Sequence, residues 1–279
     1  MKPIREALTQ FNPNSEISNK TLDIWRELNK LANFPKYKQT TTILLRSIVK
    51  QRCENLKLAT EDFDNDHQHD VAEFMNCIFQ LLFSANDSTF NLRTQLFGGL
   101  IRKIMFCECG YKDELSVERL PEIWQIPVAG VTLNTCLKQY FEPEEIDRRC
   151  PRCNKDKALQ ITELISNPKN LILQLLRFKA RVRMNNDNTR SIVHYKNDDE
   201  ILFENKLSIE GVDYKLSWVI CHKGNETKSG HYVCYLPNEE ENSFTEIDDD
   251  TIRYPKLTDK MLKEAYVFGY EASLLDIKY

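Results

Sequence analysis

The chain has 279 residues, is 41% apolar and 29% charged, and sets 38 Lys+Arg against 42 Asp+Glu for a net charge of −4. So many apolar residues at so small a net charge exclude a disordered chain, and the near-neutral balance argues against a nucleic-acid partner held by phosphate neutralisation. Apolar runs such as Leu171 to Leu176 fall far short of the ~18–20 residues of a membrane span, and the segment from Met1 to Glu6 lacks the apolar core of a signal peptide.

Residues 1–95 read as helical. Leu22, Trp25, Leu28 and Leu31 recur at helical spacing between Thr21 and Ala32. Val71, Phe74, Met75, Ile78, Phe79, Leu81 and Leu82 do the same between Asp70 and Phe83, with Asn65 or Asp66 as the expected N-cap. From Gly98 onward the period changes. Leu100 to Cys107, Leu171 to Phe178, Tyr214 to Cys221, Tyr232 to Leu236 and Ala265 to Tyr270 are short apolar runs bounded by Gly, Pro, Asn or charge, which predicts strands. Asn185 to Asn188 and Asn238 to Asn242 read as exposed loops. The pattern is α+β, helical first and β-rich afterwards.

Nine cysteines, an odd number without a secretion signal, point to a reducing compartment, cytoplasmic or nuclear. Cys77, Cys221 and Cys234 sit in apolar runs and are expected to be buried and inert. Cys107-Glu108-Cys109-Gly110 and Cys150-Pro151-Arg152-Cys153 form two Cys pairs beside Gly or Pro, the pattern of a zinc ribbon. Four thiolates leave no open coordination position, so the expected zinc is structural. The Cys107–Cys109 spacing is tighter than the usual Cys-x-x-Cys. Free thiols at two hairpin tips are the alternative, and a redox pair ranks last because no βαβ pattern surrounds Cys150 and Cys153.

Ser229-Gly230-His231-Tyr232 opens a strand, and Ile247-Asp248-Asp249-Asp250 comes after it on a neighbouring one. An Asp that accepts an imidazole N–H fixes its tautomer and stabilises the imidazolium, which makes such a pair two thirds of a nucleophile–base–orienter triad. A surface His beside an acidic loop is the plainer alternative. For His222, at another strand end, a structural role is expected.

In combination these segments resemble the ubiquitin-specific protease family of cysteine deubiquitinases. Gln68-His69-Asp70-Val71-Ala72-Glu73-Phe74 resembles its glutamine box, and Leu96-Phe97-Gly98-Gly99 the lead-in to its fingers. The two Cys pairs resemble its fingertip zinc ribbon. Leu171 to Phe178 is similar to its Leu-x-Arg-Phe strand, Tyr214 to Tyr235 to the stretch ending in Gly-His-Tyr, and Ala265 to Tyr270 to its terminal strand. The ordered set is far more specific than any one motif. The resemblance implies a papain-like cysteine peptidase fold: a helical thumb over 1–95, zinc-ribbon β fingers over 96–170 and a β-rich palm over 171–279. It implies ubiquitin or ubiquitinated proteins as partners, and hydrolysis of the bond after the ubiquitin C-terminal glycine. It makes His231 the general base, Asp248 its orienter and Asp249 an assisting acid. Asp70 and Gln68 would lie by the channel for the ubiquitin tail, where a carboxylate can pair with the tail's arginines, and Gln68 and Glu73 would brace the helix start. Cys107, Cys109, Cys150 and Cys153 would hold the zinc.

The family's cysteine box, a Gly-Asn-Thr-Cys-type turn that supplies the nucleophile and an oxyanion donor, has no match ahead of Gln68, where the family's order places it. Residues 1–67 contain one cysteine, Cys53, in Gln51-Arg52-Cys53-Glu54, too close to Gln68 for the family's order. Pro3-Ile4-Arg5-Glu6-Ala7-Leu8 resembles the family's segment just C-terminal to that box and its helix. Two readings result. Either the chain begins just after its nucleophile, or it is a pseudoenzyme that binds ubiquitin without cutting. A zinc-ribbon interaction module is the alternative from another class.

Overall fold

A computed structural model describes residues 69–83, 93, 94, 96–184, 189–226, 229–239 and 242–273. The chain divides into two compact units, one of residues 1–96 with 224–232, the other of residues 97–223 with 233–279. The expected helix from Thr21 to Ala32, Cys53 and Gln68 lie outside the described residues.

In the first unit, helix α1 spans Val71–Phe83 and buries Ala72, Cys77, Phe79, Leu81, Leu82 and Phe83. Phe79 and Phe83, one turn apart, stack at 6.2 Å between ring centroids. The N-cap is Asp70 rather than Asn65 or Asp66. Its Oδ1 accepts from the N–H groups of Ala72 at 2.8 Å and Glu73 at 3.0 Å, satisfying two donors that a helix start leaves open.

The second unit opens with β1 (Leu100–Phe106), β2 (Lys112–Arg119), β3 (Ile123–Pro127), α2 (Leu133–Tyr140), β4 (Glu144–Ile146) and β5 (Ala158–Ser166). It continues with β6 (Asn170–Leu176), β7 (Phe178–Met184), β8 (Arg190–Lys196) and β9 (Lys206–Ile209). β10 (Val212–Glu226) and β11 (Ser229–Pro237) pass through both units, and β12 (Phe244–Asp248), β13 (Thr251–Arg253), α3 (Asp259–Glu264) and β14 (Ala265–Ala272) complete the second. Three sheets result: β2-β1-β5-β4; β13-β12-β11-β10-β14-β6-β3 with β9 added on β10; and the β7–β8 ribbon.

The large sheet is built on strands whose inner residues are almost all apolar. Leu171, Ile172, Leu173 and Leu175 of β6 and Val267, Phe268 and Tyr270 of β14 are buried, and Phe268 faces Leu173 across the ladder. β3 runs parallel to β6 with Trp124 opposite Leu173. Trp124 is fully buried and packs against Tyr140 and Phe141 at the end of α2. Thr132 and Thr258 cap α2 and α3, their side-chain oxygens accepting from the N–H groups of Thr135 and Met261. At Gly269 a Cβ would lie 2.1 Å from the Trp218 indole, so only glycine lets that ring cross the strand.

The expected strand Leu171 to Phe178 is two strands. It breaks at Arg177, which is fully buried and donates to the carbonyls of Ala265 (2.7 Å), Leu262 (2.7 Å), Asp199 (2.9 Å) and Asn197 (3.0 Å). This one guanidinium ties the end of β6 to α3, to the start of β14 and to the turn after β8. Phe178 then begins β7. Asn185 to Asn188, the expected loop between β7 and β8, lies outside the described residues.

Candidate active site and cysteine cluster

The four cysteines converge on one point. Cys107 ends the β1 side of a tight turn in which the Cys107 N–H donates to the Tyr111 carbonyl at 2.9 Å and the Gly110 N–H donates to the Cys107 carbonyl at 2.9 Å. The second turn repeats the plan, with Cys150 N–H to Lys155 O at 2.8 Å and Asn154 N–H to Cys150 O at 2.9 Å. Each turn closes on a left-handed residue, Gly110 at φ 81° and Asn154 at φ 61°. The short Cys107–Cys109 spacing therefore does not keep the cluster from closing.

Cys107 Sγ lies 3.5 Å from Cys153 Sγ, Cys109 Sγ lies 3.6 Å from Cys150 Sγ, and all four sulfurs fall within 4.8 Å of one another. Zn–S bonds of ~2.3 Å define a tetrahedron with edges of roughly 3.8 Å, so the donor set fits a metal ion of that size. The thiols perturb one another. At Cys107 the Cys109 N–H favours the thiolate, but burial and the three neighbouring thiols outweigh it and push the thiol up to about 12. At Cys150 burial opposes ionisation, but the N–H groups of Cys153 and Arg152 and the thiols of Cys107 and Cys109 bring it down to about 6. Lys155 pairs with Glu108 and Arg152 donates to the Cys109 carbonyl at 3.4 Å, linking the two turns from outside. These outer contacts leave no signal in the sequence, because they depend on the mutual register of the two turns.

His231 is the third residue of β11 and belongs to the first unit; Asp248 and Asp249 belong to the second. β11 and β12 pair antiparallel from Cys234–Ile247 to Pro237–Phe244. Asp248 is the last residue of β12, and Asp249, at φ 51°, makes the turn into β13. Asp248 Oδ2 accepts from Lys223 Nζ at 3.1 Å and lies 3.5 Å from Arg253 Nη1. Arg253 also donates to Glu246 at 2.6 Å. Lys223 and Arg253 carry no mark in the sequence, since a cation near an Asp is visible only once strand register is known.

Cys221 and Cys77 are buried, and burial raises the thiols of Cys221 and Cys234, the latter to about 11. His222 is fully buried beside Phe178 and Tyr266, a structural position as expected. Asp70, at the head of α1, commits Oδ1 to the helix.

A mixed, largely antiparallel β-sheet with a four-cysteine β module and few helices defines the class: an α+β domain. A family model described as ubiquitin carboxyl-terminal hydrolase matches residues 1–270. The chain belongs to that family. It is 26% identical over 182 residues to a probable ubiquitin carboxyl-terminal hydrolase 8 of Schizosaccharomyces pombe, covering 63% of this chain and 38% of that protein. It is 31% identical over 187 residues to ubiquitin carboxyl-terminal hydrolase 16 of Arabidopsis thaliana, covering 62% of this chain and 18% of that one. Among solved structures it resembles a chain of the SAGA DUB module Ubp8/Sgf11/Sus1/Sgf73 bound to monoubiquitin, with TM-score 0.72 and 20% identity over 97% of this chain and 63% of that chain. The same module bound to ubiquitin aldehyde gives TM-score 0.71 at 19% identity, covering 97% of this chain and 64% of that chain. The chain thus spans less than two thirds of the length of these relatives. No described helix is long and apolar enough to cross a membrane.

Proposed function

We propose that this chain is the ubiquitin-gripping and His/Asp-bearing part of a papain-like, ubiquitin-specific protease domain, working in the cytoplasm or nucleus. The family match over residues 1–270 carries the reading. The substrate is the peptide or isopeptide bond after the C-terminal glycine of ubiquitin. In this reading His231 takes the proton of an attacking thiol as general base. The thiolate adds to the carbonyl, the amine leaves with the proton from the imidazolium, and water then releases ubiquitin from the thioester. Asp248 accepts the other imidazole N–H and holds the tautomer, with Asp249 beside it. Asp70 and Gln68 receive the ubiquitin tail, the former by pairing with its arginines.

Cys136 alone follows Asn-Thr, in Leu133-Asn134-Thr135-Cys136, but it lies inside α2 with its thiol fully buried and raised by that burial, so the second reading, a ubiquitin binder without turnover, applies to these 279 residues by themselves. Zinc is the metal proposed for Cys107, Cys109, Cys150 and Cys153. It would clamp two turns that bury little apolar surface of their own.

Two measurements test this. Immobilised ubiquitin should retain the chain, and a ubiquitin-derived thiol probe should not label it. Folded protein with no ubiquitin binding would leave the zinc-ribbon interaction module ahead. Labelling at Cys53 would make that residue the nucleophile and refute the binder-only reading.

A further inference from the structure

The β7–β8 ribbon is not accounted for by the hydrolase reading. It pairs with no other described strand. Its root is fixed: Phe178 packs edge-on against His222 at 5.2 Å and Tyr266 at 5.6 Å, and the buried Lys196 donates to the His222 carbonyl at 2.6 Å. Beyond that root, every residue from Lys179 to Met184 is exposed.

The period-two alternation of a strand sorts these residues onto two faces. Ala180, Val182 and Met184 lie on one, with Ile192 opposite Val182. Val182 is 66% exposed, Met184 57% and Ile192 68%, which leaves an apolar stripe in water. Lys179, Arg181 and Arg183 lie on the other face, where the Arg181 guanidinium sits 5.4 Å from the Tyr195 ring. β7 and β8 carry Lys179, Arg181, Arg183, Arg190 and Lys196 and no Asp or Glu, in a chain whose net charge is −4. The local charge is thus opposite in sign to that of the chain as a whole.

An edge strand also presents backbone N–H and C=O groups at every second residue. A segment that pairs along the outer edge of β7 must send its side chains alternately to the two faces. Acidic residues would then meet Lys179, Arg181 and Arg183, and apolar residues would cover Val182 and Met184. From this geometry we infer that β7 is the docking edge for an extended protein segment in which acidic and apolar residues alternate. A nucleic acid would satisfy the basic face and leave the apolar stripe in water.

The test titrates the 279-residue protein with a synthetic peptide alternating Glu and Val. The controls are a peptide of the same composition in two blocks and a single-stranded oligonucleotide of equal charge. The alternating peptide should bind best and weaken with salt. It should lose about tenfold or more in affinity with Arg181→Glu/Arg183→Glu, and also with Val182→Ser/Ile192→Ser. Arg181→Lys/Arg183→Lys should keep most of the binding. These positions are exposed, so thermal melts of the variants should match the native protein. Equal binding of the block peptide would reduce the effect to bulk charge and overturn the proposal. So would preference for the oligonucleotide, absence of binding by the alternating peptide, or indifference to the Arg181→Glu/Arg183→Glu change.

Discussion

Lys223 donates from Nζ to Asp248 Oδ2 at 3.1 Å, and Arg253 Nη1 approaches that same oxygen to 3.5 Å. The Asp248 side chain is 18% exposed, so its charge is only partly hydrated and either cation can offset it. Lys223→Met should cost under about 1 kcal/mol, since Arg253 stays in place. Lys223→Met with Arg253→Met should cost more than the two single changes together, because the second loss leaves the carboxylate without either cation. Urea unfolding of the four proteins in a double-mutant cycle measures this. Strict additivity would mean the two cations act on Asp248 independently.

Asp70 offers a cleaner separation of structure from function. Its Oδ1 caps α1 through two N–H groups. Asn caps as well as Asp, so Asp70→Asn keeps the cap and removes the charge. The melting temperature should hold, and affinity for ubiquitin should fall by about tenfold if the carboxylate meets the arginines of the tail. Asp70→Ala should lose the cap as well, at about 1 kcal/mol. Native affinity in the Asn variant would show that the carboxylate serves the helix alone.

The cysteine cluster predicts about one zinc per chain by elemental analysis. Cys150 is wholly buried, so Cys150→Ser should release the metal and loosen the β2-β1-β5-β4 sheet. A strong chelator should do the same to the native protein, seen as loss of β-sheet circular dichroism with the metal. Native metal content in Cys150→Ser would remove this residue from the ligand set.

Elements that bury one face are the ones legible in the sequence. α1 shows its helical period because one side packs inward, and β6 and β14 read as strands because their apolar runs are short and punctuated. β2, Lys-Asp-Glu-Leu-Ser-Val-Glu-Arg, buries no residue fully, so no apolar period marks it; β7 does alternate apolar and basic residues, but its apolar positions Ala180, Val182 and Met184 are exposed, so no core packing sets it apart as a strand. Arg177 reads locally as a polar residue inside a strand. Its role depends on four carbonyls from segments 20 to 88 positions away, and chain-distant register leaves no local trace. The two Cys turns are readable since their chemistry is carried by spacing alone. The cations around Asp248 are not.

Arg177 is the position where one substitution should do most damage. It is fully buried, and burial lowers its pKa, yet a guanidinium stays charged. Arg177→Met removes the donors and strands buried carbonyls, each costing ~1–3 kcal/mol. A loss of at least about 3 kcal/mol in urea unfolding is expected. Arg177→Lys should recover only part of it, because an ammonium cannot reproduce the planar fork. A loss below about 1 kcal/mol would show that the carbonyls find other donors.

Glu264, the last residue of α3, sets a pH dependence of definite sign. Its side chain is 15% exposed, and burial raises its pKa despite the attraction of Lys260, Lys196 and Lys223. A carboxyl whose folded pKa lies above its unfolded value favours the folded state when protonated. That contribution is full below the ordinary carboxylate range and is lost as pH rises through the raised value. Glu264→Gln keeps the protonated shape at every pH. The variant should therefore match the native protein at about pH 4 and melt higher at about pH 7. Thermal melts across that interval give the difference directly. A gap of the same size at both pH values would assign the effect to packing of the amide rather than to the buried charge.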